Sequence, residues 1–417
     1  VIAPDPIARD YILLALRLDG QVPGLVDGYF GPAELRAQVD AESPRTPARL
    51  REDAADLRAR VAGEVGDADR RRWLAAQLVA LETQARALDG DPLPYLEHVR
   101  ACFDFAPERT GEAVFEAAAA DLARLLPGDG PLAERTAAWD ARHTIPPDRL
   151  QAVIDALLPG FRERARSLFG LPAGEHLTVS LVRDQPWSGY NWYDGGLRSR
   201  VEINTDLPTR AADLLSVLPH ETYPGHHLEH AWHEAHLVED AGRLEASILL
   251  INAPECLLSE GLADLGRRFA VPAANEADLL VEIYRLADLD VARDPAAARA
   301  AAEAQVAITH AMSALGGVRG NAALLRHADG APREEVLDYL GRYLLTTPER
   351  AAKRLEFIDH PLWRTYVFVY FEGERLLSRW LDRVPVADQA ARFGRLLGEQ
   401  LTPGAIVEEL AAPGPTR

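Results

Sequence analysis

The chain is almost without lysine: among 45 basic residues Lys353 stands alone, and the rest are arginine. We read that bias as a high-GC genome and not as chemistry. Cysteine is nearly missing too. Cys102 and Cys256 are the only two, which excludes a disulfide framework and a cysteine-rich zinc site. No apolar run approaches the roughly 18 residues of a membrane span. No basic patch interrupts a net charge of −19, so neither nucleic acid nor membrane is an expected partner. The opening "VIAPDPIARDYILLALRLDG" lacks a basic start and a long apolar stretch, so the expected location is cytoplasmic. Oligomeric state leaves no trace in the sequence.

What is present is a great deal of helix. Strong helix formers at helical spacing predict helices over 6–19, 47–63, 67–89, 110–126, 131–141 and 147–168. From residue 171 the texture changes. "HLTVSLVRDQ" and "SRVEINTDL" alternate apolar and polar residues and read as strands, with the aromatic loop "PWSGYNWYDGG" between them. Helical texture resumes near 209–236, 242–270, 276–293, 297–316, 332–345, 348–356 and 361–381. The expected class is mainly α with a small antiparallel sheet (α+β). Its organisation is a helical lobe over 1–170 and a site-bearing lobe over 171–417, or one continuous domain.

"HETYPGHHLEH", residues 220–230, opens like the H-E-x-x-H zinc signature, in which two histidines four apart share a helix face. Here Pro224 stands where the second histidine belongs. Proline lacks an N–H and clashes with the carbonyl four residues back, so the helix must bulge or break at Pro224 and Gly225. A straight helix would separate His220 from His227 by about 10 Å along its axis, too far for one metal. If the Pro-Gly pair loops out, His226 takes the place of the second ligand, with His227 as the alternative. His226 and His230 could also form a pair without His220, and His230, His233 and His236 read as surface histidines.

Downstream, "NAPECLLSEGLADLG" places Glu260 and Asp264 four apart in an apolar stretch, with Glu255 facing elsewhere. In the thermolysin-like group a glutamate on an antiparallel helix completes a two-histidine zinc site, and an aspartate four residues on hydrogen-bonds a ligand histidine. "EGLAD" fits that pattern, and such an acceptor fixes the imidazole tautomer.

The order "YNWYDGG…VEINTDL…HETYPGHHLEH…SEGLADLG…VYFEG", with "GLVDGYFGPAEL" near the start, resembles the bacterial family called domain of unknown function 885. That family belongs to the thermolysin-like (gluzincin) metallopeptidase clan and carries H-E-x-x-P-G-H-H. Leu262 replaces its usual tryptophan and Glu229 its common glutamine. The resemblance implies a zincin-like core and a zinc-dependent hydrolase of peptide or peptide-like amide bonds. His220, His226 and Glu260 would be the ligands, Glu221 the general base and Asp264 the acceptor behind a ligand. It further implies that "RVEINTDL" is the edge strand pairing with substrate, with Asn204 as its asparagine. Tyr370, in the Y-x-x-G near the C-terminus, is the expected oxyanion donor, and Tyr366 lies beside it. Tyr190, Trp192 and Tyr193 are expected to line the pocket. The other reading is a zinc-stabilised scaffold without turnover.

Overall fold

A computed structural model describes residues 5–185 and 187–412; Pro186, which opens the aromatic loop, lies outside them. Five helix starts are written directly in the sequence. Asp5, Thr46, Asp294, Thr347 and Thr402 each precede a proline, and each side chain accepts a hydrogen bond from a first-turn N–H. Such a cap satisfies a donor the helix leaves free, and proline at the next position has no N–H to lose.

The first part of the chain forms α1 (Pro6–Asp19), β1 (Val26–Tyr29), α2 (Ala33–Asp40), α3 (Pro47–Glu64) and α4 (Ala68–Leu88). It continues through α5 (Tyr95–Phe103), α6 (Glu112–Leu125), α7 (Leu132–Arg142) and α8 (Pro147–Phe169). The middle holds β2 (His176–Val182), β3 (Gly189–Tyr193), β4 (Arg198–Asn204), α9 (Ala211–Glu221) and α10 (His226–Trp232). A π-helical stretch, His233–Asp240, then leads to β5 (Ile248–Leu250) and α11 (Pro254–Ala270). After it come α12 (Glu276–Leu286), α13 (Pro295–Ser313), α14 (Gly317–His327), α15 (Arg333–Tyr343) and α16 (Pro348–Asp359). The last four are α17 (Trp363–Tyr366), α18 (Val369–Leu381), α19 (Val386–Gly398) and α20 (Pro403–Ala411). The chain is mainly helical with a small β part, as expected.

The strands pair differently from the simplest expectation. β2 and β4 run parallel, and the antiparallel partner of β4 is β3, formed by the aromatic loop itself. Gly195 and Gly196, at φ 74° and 62°, make the turn that sends the chain back from β3 into β4. Burial alternates along β4, with Ser199, Val201 and Ile203 inward, which fixes its register. A second, two-stranded sheet pairs β1 with β5. Residues 248–250 were expected inside a helix. They are extended because they pair with β1, and because Pro254 holds the residue before it, Ala253, in an extended conformation. The buried Glu245 carboxylate accepts both Arg70 contacts, at 2.6 and 2.9 Å, and so ties this turn to α4.

Three hydrophobic clusters fill the interior, and each draws on both sides of residue 170. Helix α11 and its N-cap residue Ala253 contribute to all three: Leu258, Leu262 and Leu265 to one, Leu257 to the second, Ala253 to the third. Among the described residues no helix is long and apolar enough to cross a membrane.

Candidate metal centre

The expected break in the motif helix falls between α9 and α10. Gly225 is what makes it tight: its N–H donates to the Pro219 carbonyl at 3.1 Å, and an added Cβ would lie 1.9 Å from the His220 carbonyl oxygen. Only glycine fits there. The chain therefore folds back on the last turn of α9, and the next residue, His226, comes level with His220.

His220 Nε2 and His226 Nε2 are 3.1 Å apart. Glu260, from α11, puts Oε2 3.5 Å from the first and Oε1 3.9 Å from the second. Tetrahedral zinc with ligands at ~2.0–2.1 Å holds its donors about 3.4 Å from one another. The three atoms thus fit that ion in spacing and in type. Tautomers add a stronger argument. Asp264 Oδ1 accepts from His220 Nδ1 at 2.9 Å, and Glu229 Oε2 faces His226 Nδ1 at 3.4 Å. In the neutral rings these contacts place the protons on Nδ1 and turn both Nε2 lone pairs toward Glu260. Two lone pairs and a carboxylate converging within 4 Å repel one another unless a cation lies among them.

The electrostatics agree. Burial opposes charge on His220, yet Asp264 and Glu260 outweigh it and push the imidazole pKa well above its usual value. His226 is raised too, with Glu229 overcoming burial. Glu260 is held down at about 2 against the cost of burial, by His220 and His226 and by a hydrogen bond from Tyr366. The site attracts positive charge. Its three side chains are 13–18% exposed, so one side stays open to the cleft.

Glu221 lies next to His220, and burial lifts its carboxyl above the usual range. It faces β3: a Cβ on Gly189 would be 3.2 Å from Glu221 Oε1, and Asn191 Nδ2 donates to the Glu221 carbonyl at 2.7 Å. Tyr366 OH donates to Glu260 Oε1 at 3.1 Å, and the ring of Tyr370 sits 5.2 Å from that of Tyr366. Tyr370 is 44% exposed, so its hydroxyl is left for the cleft. Tyr190 OH donates to Asp27 Oδ1 at 2.7 Å across the cleft.

Several expected residues are elsewhere. β4 is the central strand, paired on both sides, so it cannot accept a substrate strand. Asn204 spends its amide on the carbonyls of Gln185 and Trp187, at 2.8 and 2.9 Å, and so holds the loop before β3. Tyr193 donates to Glu234, which also caps the N–H groups of Gly196 and Leu197; it fastens the hairpin turn and does not line the pocket. Trp192 donates to Glu202 on the neighbouring strand at 2.9 Å. His227 points away from the centre, fully buried, with Nδ1 on Ser199 and Nε2 on Glu175 at 2.8 and 2.9 Å. His230 and His233 are buried, not on the surface, because α10 and the π-helical stretch pack against α11 and α19. Burial lowers the His230 pKa to about 3. His226, Glu229 and His230 form another metal-sized group, but it reaches His226 through Nδ1, behind the first. Glu255 faces His233, at 3.8 Å.

Asp27 went unseen in the sequence. β1 carries it to the cleft opposite Glu260, where it reaches solvent yet is walled by protein, and burial raises its pKa. Its only sequence signal is the "VDGY" of the N-terminal segment. A shallow groove between α6 and α13, lined by Ala113, Ala117, His310 and Ala314, contains none of these residues.

No family model matches the chain, and no curated protein matches it, so the family resemblance rests on the motifs alone. Among solved structures it is similar to one described as "the putative lipoprotein from Colwellia psychrerythraea". The identity is 15%, the TM-score 0.49, and the match covers 87% of this chain. The chain spans 65% of that structure's length.

Proposed function

We propose that this protein is a zinc-dependent hydrolase of a peptide or small peptide-like amide, related to the domain of unknown function 885 family. The observation that carries the reading is the pair of imidazoles, backed at Nδ1 by Asp264 and Glu229, whose Nε2 atoms lie 3.1 Å apart beside Glu260. His220, His226 and Glu260 would hold the ion, with Asp264 and Glu229 orienting the rings. When bound, zinc lowers the pKa of a water toward neutrality and polarises a carbonyl oxygen.

The protein groups do the rest. The Glu221 carboxylate, next to His220, accepts a proton from the attacking water and returns it to the leaving nitrogen. Tyr370, 44% exposed and without a hydroxyl acceptor among the described residues, donates to the developing oxyanion. Tyr366 holds Glu260 in place. β3, and not β4, is the open edge. Ser188 and Asp194 bond to β4, so in an antiparallel ladder Gly189, Asn191 and Tyr193 turn their backbone groups outward, where an extended substrate could pair. A cytoplasmic place of action belongs to the same reading.

The test is metal content joined to turnover. Protein purified without chelator after zinc supplementation should carry about one zinc per chain, as a three-ligand site requires, and should cleave members of an amide library. No stoichiometric metal would remove the reading. Zinc without turnover on any amide would leave a metal-stabilised scaffold in its place.

A further inference from the structure

The cleft wall beyond Tyr366 has a charge of its own. Arg319 lies in the first turn of α14, between Gly316 and Gly320. Both glycines back onto Phe371: a Cβ on Gly316 would be 3.4 Å from its Cβ, and one on Gly320 2.3 Å from its ring. Lacking side chains, they let the start of α14 press against the turn that carries Tyr370. Arg354 comes from α16, three residues before Phe357, whose ring is 6.1 Å from that of Tyr370. Residues three apart share a helix face, so Arg354 lies on the Tyr370 side.

Among the described residues neither arginine has a carboxylate partner. Half-buried arginines elsewhere in this acidic chain take carboxylate partners, as Arg17 does with Glu42, Arg70 with Glu245 and Arg267 with Glu276. Around Tyr370 the carboxylates are already engaged: Asp359 holds Arg326 and Arg333, and Glu372 holds Arg375. Arg319 is half-buried, and burial together with Arg354 brings its pKa down to about 10. Both guanidinium groups are close enough to Tyr370 to favour negative charge there, against the pull of Glu260. Arg319, half-buried, leaves a guanidinium charge for an anion to meet, and the exposed Arg354 adds a second positive charge on the same side.

We propose that Arg319 and Arg354 form a carboxylate-binding subsite beside Tyr370, so that the substrate is a small amide bearing a free carboxylate. The inference rests on the hydrolase reading and sharpens it. Guanidinium forks match a carboxylate in two parallel hydrogen bonds.

The experiment uses zinc-loaded full-length protein and thiol ligands in place of substrate. Mercaptoacetyl derivatives of glycine, β-alanine and γ-aminobutyric acid, each as acid and as carboxamide, are titrated calorimetrically. The acid of at least one length should bind at least about tenfold more tightly than its carboxamide, the size of one charge-assisted hydrogen bond. Arg354→Gln and Arg319→Gln should each remove most of that preference while zinc content stays unchanged. Arg354 is exposed, so R354Q decides the matter even if R319Q folds poorly. Equal binding of acid and carboxamide at all three lengths, or a preference that survives R354Q, overturns the subsite alone. Absence of any thiol binding by zinc-loaded protein overturns the hydrolase reading as well.

Discussion

Gly261 and Gly373, 112 positions apart in the chain, touch backbone to backbone. A Cβ on Gly261 would lie 2.4 Å from the Gly373 carbonyl carbon, and one on Gly373 would lie 2.3 Å from the Leu257 oxygen. This contact sets the separation of α11 from α18, and so brings the Tyr366 hydroxyl within reach of Glu260. Gly261→Ala should cost at least about 2 kcal/mol, because the crossing helices have nowhere to go but apart. Urea unfolding reads the cost, and an unchanged midpoint would mean that the helices are not held this closely.

Zinc retention separates three histidines. His226→Ala should lose the metal and His230→Ala should keep it. His227→Ala should also keep it while losing about 1–3 kcal/mol of stability, since Glu175 is left short of a buried hydrogen bond. Emission spectroscopy and urea melts on the three variants suffice. Metal loss in H227A with retention in H226A would put the break in the motif helix one residue out.

Glu221→Gln keeps the shape of the side chain and removes its basic oxygen. Zinc should stay bound while turnover falls by ~10²–10⁴. Full zinc loss would make Glu221 a ligand instead, and unchanged turnover would send the proton elsewhere.

The two cleft tyrosines should fail in different ways. Tyr366→Phe removes the donor to Glu260 Oε1 and should weaken zinc binding roughly 10–100-fold. Tyr370→Phe should leave zinc affinity alone and lower kcat by about 10²–10³. If competition with a chelator gave the two variants the same loss of affinity, this division of roles would be wrong.

Glu372 supplies a pH dependence of stability. Burial raises its pKa to about 7 although Arg375 pulls the other way, and its Oε1 has no partner. A carboxyl raised in the folded state favours folding when protonated. Its contribution is full below about pH 4.5 and is lost as the pH rises through 7. Glu372→Gln should therefore gain about 1–3 kcal/mol over the parent at pH 8 and nearly nothing at pH 4.5. An equal difference at both pH values, by urea midpoint, would show that the carboxyl titrates normally.

The long helices were readable because their caps and stripes are local: Thr46-Pro47 and Thr347-Pro348 announce helices without help from distant residues. The break at Pro224 and Gly225 followed from the covalent geometry of two residues. β5 was not readable, since 248–250 become extended only by meeting β1, some 220 residues earlier. Asp27 was hidden for the same reason. Its place in the cleft depends on that pairing, and nothing near it in the chain marks it. Asn204 misled in the opposite direction, because the resemblance supplied a role for β4 while the strand order, with β3 outside it, arises only in the folded sheet.

The reach of α11 and its N-cap residue into all three hydrophobic clusters bears on how this protein can vary over descent. Glu260 and Asp264 ride on the one helix that no cluster can release, so drift in any single cluster leaves them where they are. Asp27, Arg319 and Arg354 stand on segments bound less widely. A lineage could retune what the cleft accepts by changing those segments, while the carboxylates on α11 pass unaltered from one specificity to the next.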